Sequence, residues 1–441
     1  MSMARGVIET EVVVVGSGPG GATVARELSR RGKRVVICES GRYHRRFGNT
    51  LVMLGMMDRL GLTFSQEGTW VIRPKTVGGA SVVFSATAFK PPAWLKEKYG
   101  IDLDREVAEL YQEIPIAPLP QRLLGPAAQR IMDAAQARGL DWHPLDKWIR
   151  PERCQPGCGK CSLGCPNPGA KWTAREFVEE ARQKGAQLLE RTRADRVLEE
   201  NGSAVGVRAR GPAGWLDIRA EAVVLSAGGQ GTPPLLQRLG LFQAGQGFFV
   251  DPLWFVSGVD QGPGSLHDIP MSAGVHLDKE GIVMTDFTVP PVMFASLLAR
   301  AGLRGLAALP KLRSLKRMLT IMIKVRDGLE GRINLDESFS KPIDHPTWAK
   351  LNQGAILAED ILLRAGVARE DIIKTAVIAS HPGGTVRIGN LLDSDCQTPV
   401  KNCYCLDTSV LPQEWGMPPT LTVVALGKRL ARHLVQQGQA A

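Results

Sequence analysis

The clearest hydrophobic pattern lies near the start of the chain. Residues 11–15 form a continuous β-branched run, which predicts a buried parallel strand. A glycine-rich turn follows over 16–21, and apolar and small residues then recur at helical spacing over 22–31. A second apolar run over 34–38 ends at Glu39. This order of strand, glycine turn, helix, strand and acid is typical of a dinucleotide-binding Rossmann unit.

The turn carries glycines at the positions that a nucleotide phosphate requires. Gly16 allows the tight turn, Gly18 lets the backbone approach a pyrophosphate, and Gly21 allows close packing of the helix on the strand. The helix N-terminus offers free N–H groups to the phosphates, and Glu39 would accept hydrogen bonds from a ribose. A glycine turn that binds no nucleotide is the alternative interpretation.

Further glycine-rich turns follow along the chain, over residues 77–81, 223–229 and 381–385. The apolar run that ends at Ala227 and Gly228 predicts another buried strand, and a short helical pattern follows it over 235–239. A large ligand that touches several distant glycine turns fits a flavin dinucleotide better than a nicotinamide dinucleotide.

The middle of the chain, 251–378, mixes strand-like and helix-like patterns and predicts a smaller α+β substrate domain. Within it, residues 287–325 contain no acid but seven basic side chains among apolar ones. We therefore expect residues 287–326 to dock on a membrane surface or on an acidic partner. A solvated basic face over an ordinary core is the alternative interpretation.

Composition excludes several classes of protein. The 441 residues are 44% hydrophobic, which argues against a disordered chain, and no apolar run is long enough to span a membrane. The pattern at the N-terminus differs from a signal peptide, so we expect a cytoplasmic protein, peripheral at most to the inner face of the membrane. The net charge of +10 alone is weak evidence for nucleic-acid binding, and no nucleic-acid motif accompanies it.

Four of the eight cysteines fall in one short run, Cys154, Cys158, Cys161 and Cys165. Their C-x3-C-x2-C-x3-C-P spacing is one residue longer, in the first gap, than the bacterial ferredoxin run. It predicts a [4Fe-4S] cluster, with zinc or unliganded thiols as alternatives. Among the remaining cysteines, Cys38 lies inside a predicted strand and is expected in the core.

Motifs at both ends of the chain resemble those of the glucose–methanol–choline (GMC) family of FAD oxidoreductases. The Gly78-Gly-Ala-Ser81 run is similar to the first family signature, and residues 232–236 with Gly240 are similar to the second. The His381-Pro-Gly-Gly-Thr run resembles the segment that carries the family's catalytic histidine. Asp407 begins a run similar to the family's segment near the flavin.

The resemblance implies that His381 handles the proton of the substrate, and Glu414 is a second candidate for a catalytic role. The implied cofactor-binding residues are Gly16, Gly18, Gly20, Gly21, Glu39, Gly78, Gly79, Ser81, Ala227, Gly228, Asp407, Pro419 and Thr420. Two positions depart from the family. Pro418 stands where a second histidine or asparagine is usual, and Phe84 stands where the first signature usually has asparagine or histidine.

The resemblance also implies an α/β fold with a discontinuous Rossmann-type FAD-binding domain. We expect that domain over 1–90, 186–250 and 379–441, an insert with the cysteines over 91–185, and a substrate domain over 251–378. The implied reaction transfers hydride between a small-molecule alcohol, or a related C–H/ketone pair, and flavin N5.

The predicted cluster would pass the electrons of this reaction to a redox partner protein or a quinone, which favours a dehydrogenase over an oxidase. The alternatives are a reductase of a ketone or activated C=C bond fed by the cluster, and a non-catalytic electron-transfer subunit.

Overall fold

The computed structural model describes residues 6–440, with side chains as far as residue 437. The principal strands are β1 (Val7–Val15), β2 (Val35–Cys38), β3 (Trp70–Val71), β4 (Ile116–Pro118), β5 (His143–Pro144), β6 (Asp146–Trp148), β7 (Gln187–Leu189), β8 (Arg193–Glu200), β9 (Ser203–Gly211), β10 (Gly214–Leu225), β11 (Gln246–Phe248), β12 (Pro252–Val259), β13 (Ala273–Leu277), β14 (Ile282–Asp286), β15 (Met318–Val325), β16 (Gly331–Ile333), β17 (Phe339–Ser340), β18 (Ile372–Lys374), β19 (Ile378–Ala379) and β20 (Cys403–Cys405).

The α-helices are α1 (Pro19–Ser29), α2 (Thr50–Gly55), α3 (Trp94–Tyr99), α4 (Asp104–Glu113), α5 (Pro126–Ala137), α6 (Ala174–Gln183), α7 (Thr232–Arg238), α8 (Pro291–Arg300), α9 (Gly302–Ala308), α10 (His345–Arg364) and α11 (Thr420–Ala440). Among the residues described, no helix is both long and apolar enough to cross a membrane.

The first sheet has seven strands. Its main path runs β7-β2-β1-β10-β9-β8, and β20 pairs with β10 beside it. Strands β7, β2, β1, β10 and β20 run parallel to their neighbours in this group, whereas β9 pairs antiparallel with both β10 and β8. Helices α1 and α11 pack together over this sheet, where Gly427 lies against Thr23 so closely that a Cβ would clash. The parallel centre is buried on both faces, as its continuous β-branched sequence requires.

The second sheet has eight strands in the order β3-β19-β12-β15-β14-β13-β5, with β18 on β12. Its long strands β12, β15 and β14 pair antiparallel, and α10 covers one of its faces. The pairing places Leu253 opposite Lys324 and Phe255 opposite Met322. Because side chains on a strand alternate between faces, these four residues share one face of the sheet.

The expected α/β architecture with a Rossmann-type unit is confirmed. The predicted strand over 11–15 begins earlier, at Val7, and the predicted helix over 22–31 begins at Pro19. Cys38 is buried in β2 as expected.

The interpretation of residues 287–326 as a surface segment needs a correction. Residues 291–317 form α8, α9 and a 3₁₀ stretch at the surface, but β15 is buried along its whole length. Because apolar residues dominate β15, it lies as a central strand of the second sheet, between β12 and β14. One of the seven basic residues, Lys324, therefore lies inside the protein.

Candidate functional site

One large cavity of about 520 Å³ runs between the two sheets. At one end it is lined by the glycine turn after β1, and at the other by Lys324, Ser380 and His381. The carboxyl ends of parallel strands β1, β2 and β10 border it, which is where open α/β sheets bind ligands.

Gly16 in the turn after β1 and Gly79 in the turn that faces it are packed too tightly to carry a side chain. A Cβ on Gly16, whose φ is +102°, would lie 2.1 Å from the Ser226 carbonyl oxygen, and one on Gly79 would lie 2.8 Å from the Gly18 Cα. Glu39 closes this end of the cavity. Its carboxylate accepts hydrogen bonds from the Ser17 N–H at 3.0 Å and the Ser17 hydroxyl at 2.7 Å.

A second loop meets the cavity where β10 ends. The buried Asp407 carboxylate accepts hydrogen bonds from the Gly228 N–H at 2.8 Å and from the Thr232 hydroxyl at 2.6 Å. Burial raises the pKa of Asp407, and these donors oppose the rise. Gln230, which also lines the cavity, leaves its Oε1 atom without a partner among the described residues.

These features fit FAD. The glycine cradle admits a diphosphate, the N-terminus of α1 favours its charge, and Gln230 offers an unused polar atom to a ligand. Gly16, Gly18, Gly20, Glu39, Gly79, Ala227, Gly228, Asp407, Pro419 and Thr420 all line the cavity.

Three predicted cofactor-binding residues do not line the cavity. Gly21 packs against the Gly16 carbonyl oxygen, so it serves the contact between α1 and β1. The Gly78 N–H donates to the Ser17 hydroxyl at 3.1 Å. The Ser81 hydroxyl donates to the Gly78 carbonyl oxygen at 2.6 Å, which secures the turn from behind.

His381 lies at the far end of the cavity beside a buried carboxylate. Its Nδ1 atom is 3.0 Å from Asp251 Oδ2, and the other carboxylate oxygen accepts the Gly416 N–H at 2.7 Å. Both residues have left-handed backbones, with φ of 59° for His381 and 46° for Asp251. Non-glycine residues adopt this conformation at a cost, which the surrounding contacts have to offset.

Lys324 lies against the same histidine. Its Nζ atom donates to the Ser380 hydroxyl at 2.7 Å and lies 3.2 Å from Nδ1 and 3.4 Å from Nε2 of His381. Burial lowers the pKa of Lys324 to about 8, and the neighbouring Asp251 opposes the fall. Burial also lowers the pKa of His381 well below its usual value, and Lys324 lowers it further, so His381 is neutral at physiological pH.

A second buried ion pair supports Asp251. Asp327 accepts the Asp251 N–H at 2.9 Å and pairs with Lys341, whose Nζ atom lies 2.9 Å from Asp327 Oδ2. Both side chains are 1% exposed. Burial raises the pKa of Asp251 to about 7, against the attraction of Lys324. Asp251 and Lys324 therefore contact His381, and the Asp327–Lys341 pair lies behind Asp251.

The loop before α11 contacts the site through Pro418 and the Gly416 backbone, and not through Glu414 as expected. Pro418 lines the cavity and brings no polar side-chain atom, as the sequence indicates. Glu414 is not among the cavity residues, since it is half-buried near Arg387 while Trp415 fills the protein interior. The backbone N–H of Gly416, rather than the Glu414 carboxylate, contacts the His381 network.

Sequence reasoning missed Asp251 and Lys324. Each carries a signal, because each is a lone charge at the end of an apolar run, 247–250 for Asp251 and 318–323 for Lys324. A lone charge in a strand that is buried on both faces needs a partner or a function. The pairing between β12 and β15 is what brings the two residues together.

The four clustered cysteines lie close to the cavity but are not arranged as ligands. Cys161 is buried, the other three are half-buried, and neighbouring Ser162 lines the cavity. Within residues 6–440, no group of three or more His, Cys, Asp or Glu side chains is placed to hold a metal ion. The iron–sulfur cluster therefore stays a prediction of the spacing, without support from the structure.

Comparison with known proteins agrees with the geometry. Models of the GMC oxidoreductase family match residues 11–252 and 314–427. A GMC-type oxidoreductase of Mycobacterium tuberculosis is 31% identical over 483 residues, which cover 97% of this chain and 76% of that relative. A long-chain-alcohol oxidase of Arabidopsis thaliana is 28% identical over 260 residues, which cover 53% of this chain and 35% of the relative.

Solved structures share the fold at low identity. Pyridoxine 4-oxidase from Mesorbium loti superposes with a TM-score of 0.71 at 16% identity, covering 97% of this chain and 99% of that one. A formate oxidase of Aspergillus oryzae gives a TM-score of 0.73 at 15% identity and covers both chains completely. Fold and site together define a flavin-dependent oxidoreductase. The chain belongs to the GMC oxidoreductase family.

The buried pair beneath Asp251 leads to a prediction about stability. Lys341→Met leaves the Asp327 carboxylate buried without its cation, and we expect the free energy of unfolding to fall by about 3–5 kcal/mol. Lys311→Met is the matched control, because Lys311 pairs with Asp371 at the partly exposed surface and should cost at most about 1 kcal/mol. Chemical denaturation of both variants measures the difference, and equal losses would contradict the prediction.

Proposed function

We propose that this protein oxidises an apolar alcohol to the corresponding carbonyl compound, with His381 as the base. The observation that carries the proposal is the placement of His381, Lys324 and Asp251 at the end of the cavity that fits FAD. When bound, FAD supplies the two-electron acceptor for the hydride that leaves the carbinol carbon.

His381 is suited to accept the hydroxyl proton of the substrate. If its Nδ1–H donates to Asp251, its Nε2 atom keeps a lone pair for that proton. A neutral imidazole is needed for this role, and the lowered pKa of His381 supplies it. After the transfer, the Asp251 carboxylate stabilises the imidazolium and holds the ring in place.

Lys324 takes the role that the family gives to the residue at Pro418, namely holding the substrate oxygen. The protonated amine carries a positive charge in a buried position, where it attracts the negative charge that develops on the oxygen as the proton leaves. The Ser380 hydroxyl accepts one of its hydrogens and directs the others.

The substrate is apolar beyond its hydroxyl group. The sheet face that leads to Lys324 carries Leu253, Phe255, Met322 and Ile378, all of which line the cavity. Burying a methylene group contributes about 0.8 kcal/mol, so each carbon added to an aliphatic chain strengthens binding until the cavity is filled. The similarity to long-chain-alcohol oxidases supports the same substrate class.

The first prediction about the proposed reaction concerns His381. We expect primary aliphatic alcohols to bleach the flavin absorbance under anaerobic conditions, and His381→Ala to slow this reduction by about two to four orders of magnitude, since the general base is lost. His143→Ala is the control, because His143 is exposed and does not line the cavity. Near-normal reduction in His381→Ala would remove the histidine from the mechanism.

The second prediction concerns pH. The rate of flavin reduction should fall as pH rises through about 8, because Lys324 then loses the proton that gives it its charge. Lys324→Met should lower the rate by about 100-fold and lose this alkaline limb, since one donor to the oxyanion is gone. A Lys324→Met variant with an unchanged alkaline limb would assign the titration to another group.

The path of the electrons after flavin reduction is a separate part of the proposal. Its support is the cysteine spacing and the contact of the cysteine loop with the cavity through Ser162. The mechanism above does not pass through a cluster, because the described thiols are not placed as a ligand set.

Metal analysis decides the electron path. A relay through a [4Fe-4S] cluster predicts about four iron atoms per chain in protein isolated without oxygen, and their loss in Cys158→Ser. Cys38→Ser is the control, because Cys38 is buried in β2, away from the loop. Protein that is free of iron and makes peroxide rapidly would be an alcohol oxidase without a relay.

A further inference from the structure

Exposed apolar side chains are concentrated in two segments of this protein. Twelve large hydrophobic residues are exposed among those described, and seven of them fall within 51–64 and 292–306. They are Leu51, Leu60, Leu62, Phe64, Val292, Leu303 and Leu306, which we name the apolar rim. Leu303 is 86% exposed and Leu51 is 78% exposed. Clustered exposure of this kind marks an interaction site, whereas scattered exposed residues do not.

The two segments of the rim are joined in space. The Arg300 guanidinium lies 4.6 Å from the centroid of the Phe64 ring, and it donates to the Gly68 carbonyl oxygen at 3.0 Å. Ile72 packs against apolar clusters on both sides, one with α2 and one with α8. The rim is therefore one surface built from the two segments.

Unpaired positive charge accompanies the rim. Arg59, Arg304, Arg313 and Lys316 are exposed, and none of them forms an ion pair with another described residue. Residues 287–325 contain no acid, and the nearby Asp58 carboxylate pairs with Arg73 at 3.2 Å. The surface thus combines protruding aliphatic side chains with free cations.

The same two segments border one opening of the cavity. Met53 and Leu54 of α2 line it on one side, and Val292 and Met293 of α8 line it on the other. Three lining residues of these segments, Arg59, Val292 and Ser296, are exposed to solvent, so the cavity reaches the surface at the rim. It also reaches the surface away from the rim, at Lys75, Ala80, Arg193 and Arg238. A ligand that arrives at the rim has direct access to the apolar sheet face.

We propose that the apolar rim docks on an anionic lipid surface and takes its alcohol substrate from that lipid phase. The surface inference rests on the proposed function only for the identity of the substrate. Leucines that enter the boundary of the acyl chains, together with arginines facing anionic headgroups, are the combination that lies in a membrane interface. An acidic protein partner would satisfy the cations but has no need of apolar side chains at the opening of a cavity.

Vesicle flotation of the FAD-loaded protein tests the docking. We expect the protein to float with phosphatidylcholine vesicles that contain phosphatidylglycerol and to remain in the dense fraction with phosphatidylcholine alone. In about 0.5 M salt less protein should float, because the Debye length is then about 4 Å and the attraction between arginines and headgroups is screened. Arg304→Gln with Arg313→Gln should weaken binding by about 25-fold, from about fivefold per basic residue. Leu60→Ser with Leu303→Ser should weaken it in both salt conditions.

Matched controls lie elsewhere on the surface. Phe242→Ser removes an exposed ring outside the rim, and Lys184→Gln removes an exposed cation at the end of α6, so both should bind vesicles like the unchanged protein. If vesicle binding falls equally in these controls, the binding depends on the overall charge and apolarity of the protein surface and not on the rim, which would overturn the proposal. Binding that needs phosphatidylglycerol but ignores the leucine changes would also overturn it and favour an acidic protein partner.

A second measurement separates this inference from the proposed function. Flavin reduction by a short, water-soluble alcohol should be unchanged in Leu60→Ser with Leu303→Ser, whereas reduction by a long-chain alcohol presented in vesicles should slow at least tenfold. Reduction of the unchanged protein by alcohols without vesicle binding overturns the docking alone. Vesicle binding without reduction by any alcohol overturns the proposed substrate and leaves the docking in place.

Discussion

The buried carboxylate of Asp251 is the constraint on which the site depends. Asp251 joins three parts of the chain that lie far apart in sequence. Its carboxylate contacts His381 and accepts the Gly416 N–H, and its backbone N–H donates to Asp327. A fully buried carboxylate is costly unless its lone pairs are satisfied. The surrounding backbone therefore adopts conformations that bring donors to this carboxylate, including the left-handed conformation of His381.

The buried acids and the buried lysine near His381 have pKa values that lie close together. Burial raises the pKa of Asp251 to about 7 and that of Asp327 to about 6, while it lowers that of Lys324 to about 8. In water these groups would titrate far apart. Removing water from the site brings acids and base near neutrality, so small changes in the bound ligand redistribute protons among them. That property suits a site where a proton and a hydride leave the same substrate.

The sequence predicts features of this protein whose signal is local. The glycine turn after β1 and the acid at Glu39 lie within one βαβ unit, and their spacing alone identifies the nucleotide end of the cavity. His381 is found through its motif. Lys324 is not, because its position after an apolar run does not say which strand lies beside it, and only the pairing of β15 with β12 places it beside Asp251. Glu414 has the right chemistry and neighbourhood in sequence, yet it lies away from the cavity. Which way a loop residue faces depends on tertiary packing, here on Trp415, and no local pattern encodes it.

The central strand β10 has a consequence for how the protein is made. It pairs with β1 from the first residues of the chain, with β9 directly before it, and with β20 near the end. The Asp407 carboxylate that completes the cavity follows β20 by two residues. A ribosome that releases the chain from its N-terminus thus exposes the glycine turn long before the rest of its binding site exists. Stable capture of the cofactor must wait until residues 403–407 have been made, and until then the part of β10 that β20 covers, Val223–Leu225, is unprotected. The order of synthesis therefore places cofactor binding after the folding of the first βαβ unit, at the stage when β20 and Asp407 join the sheet.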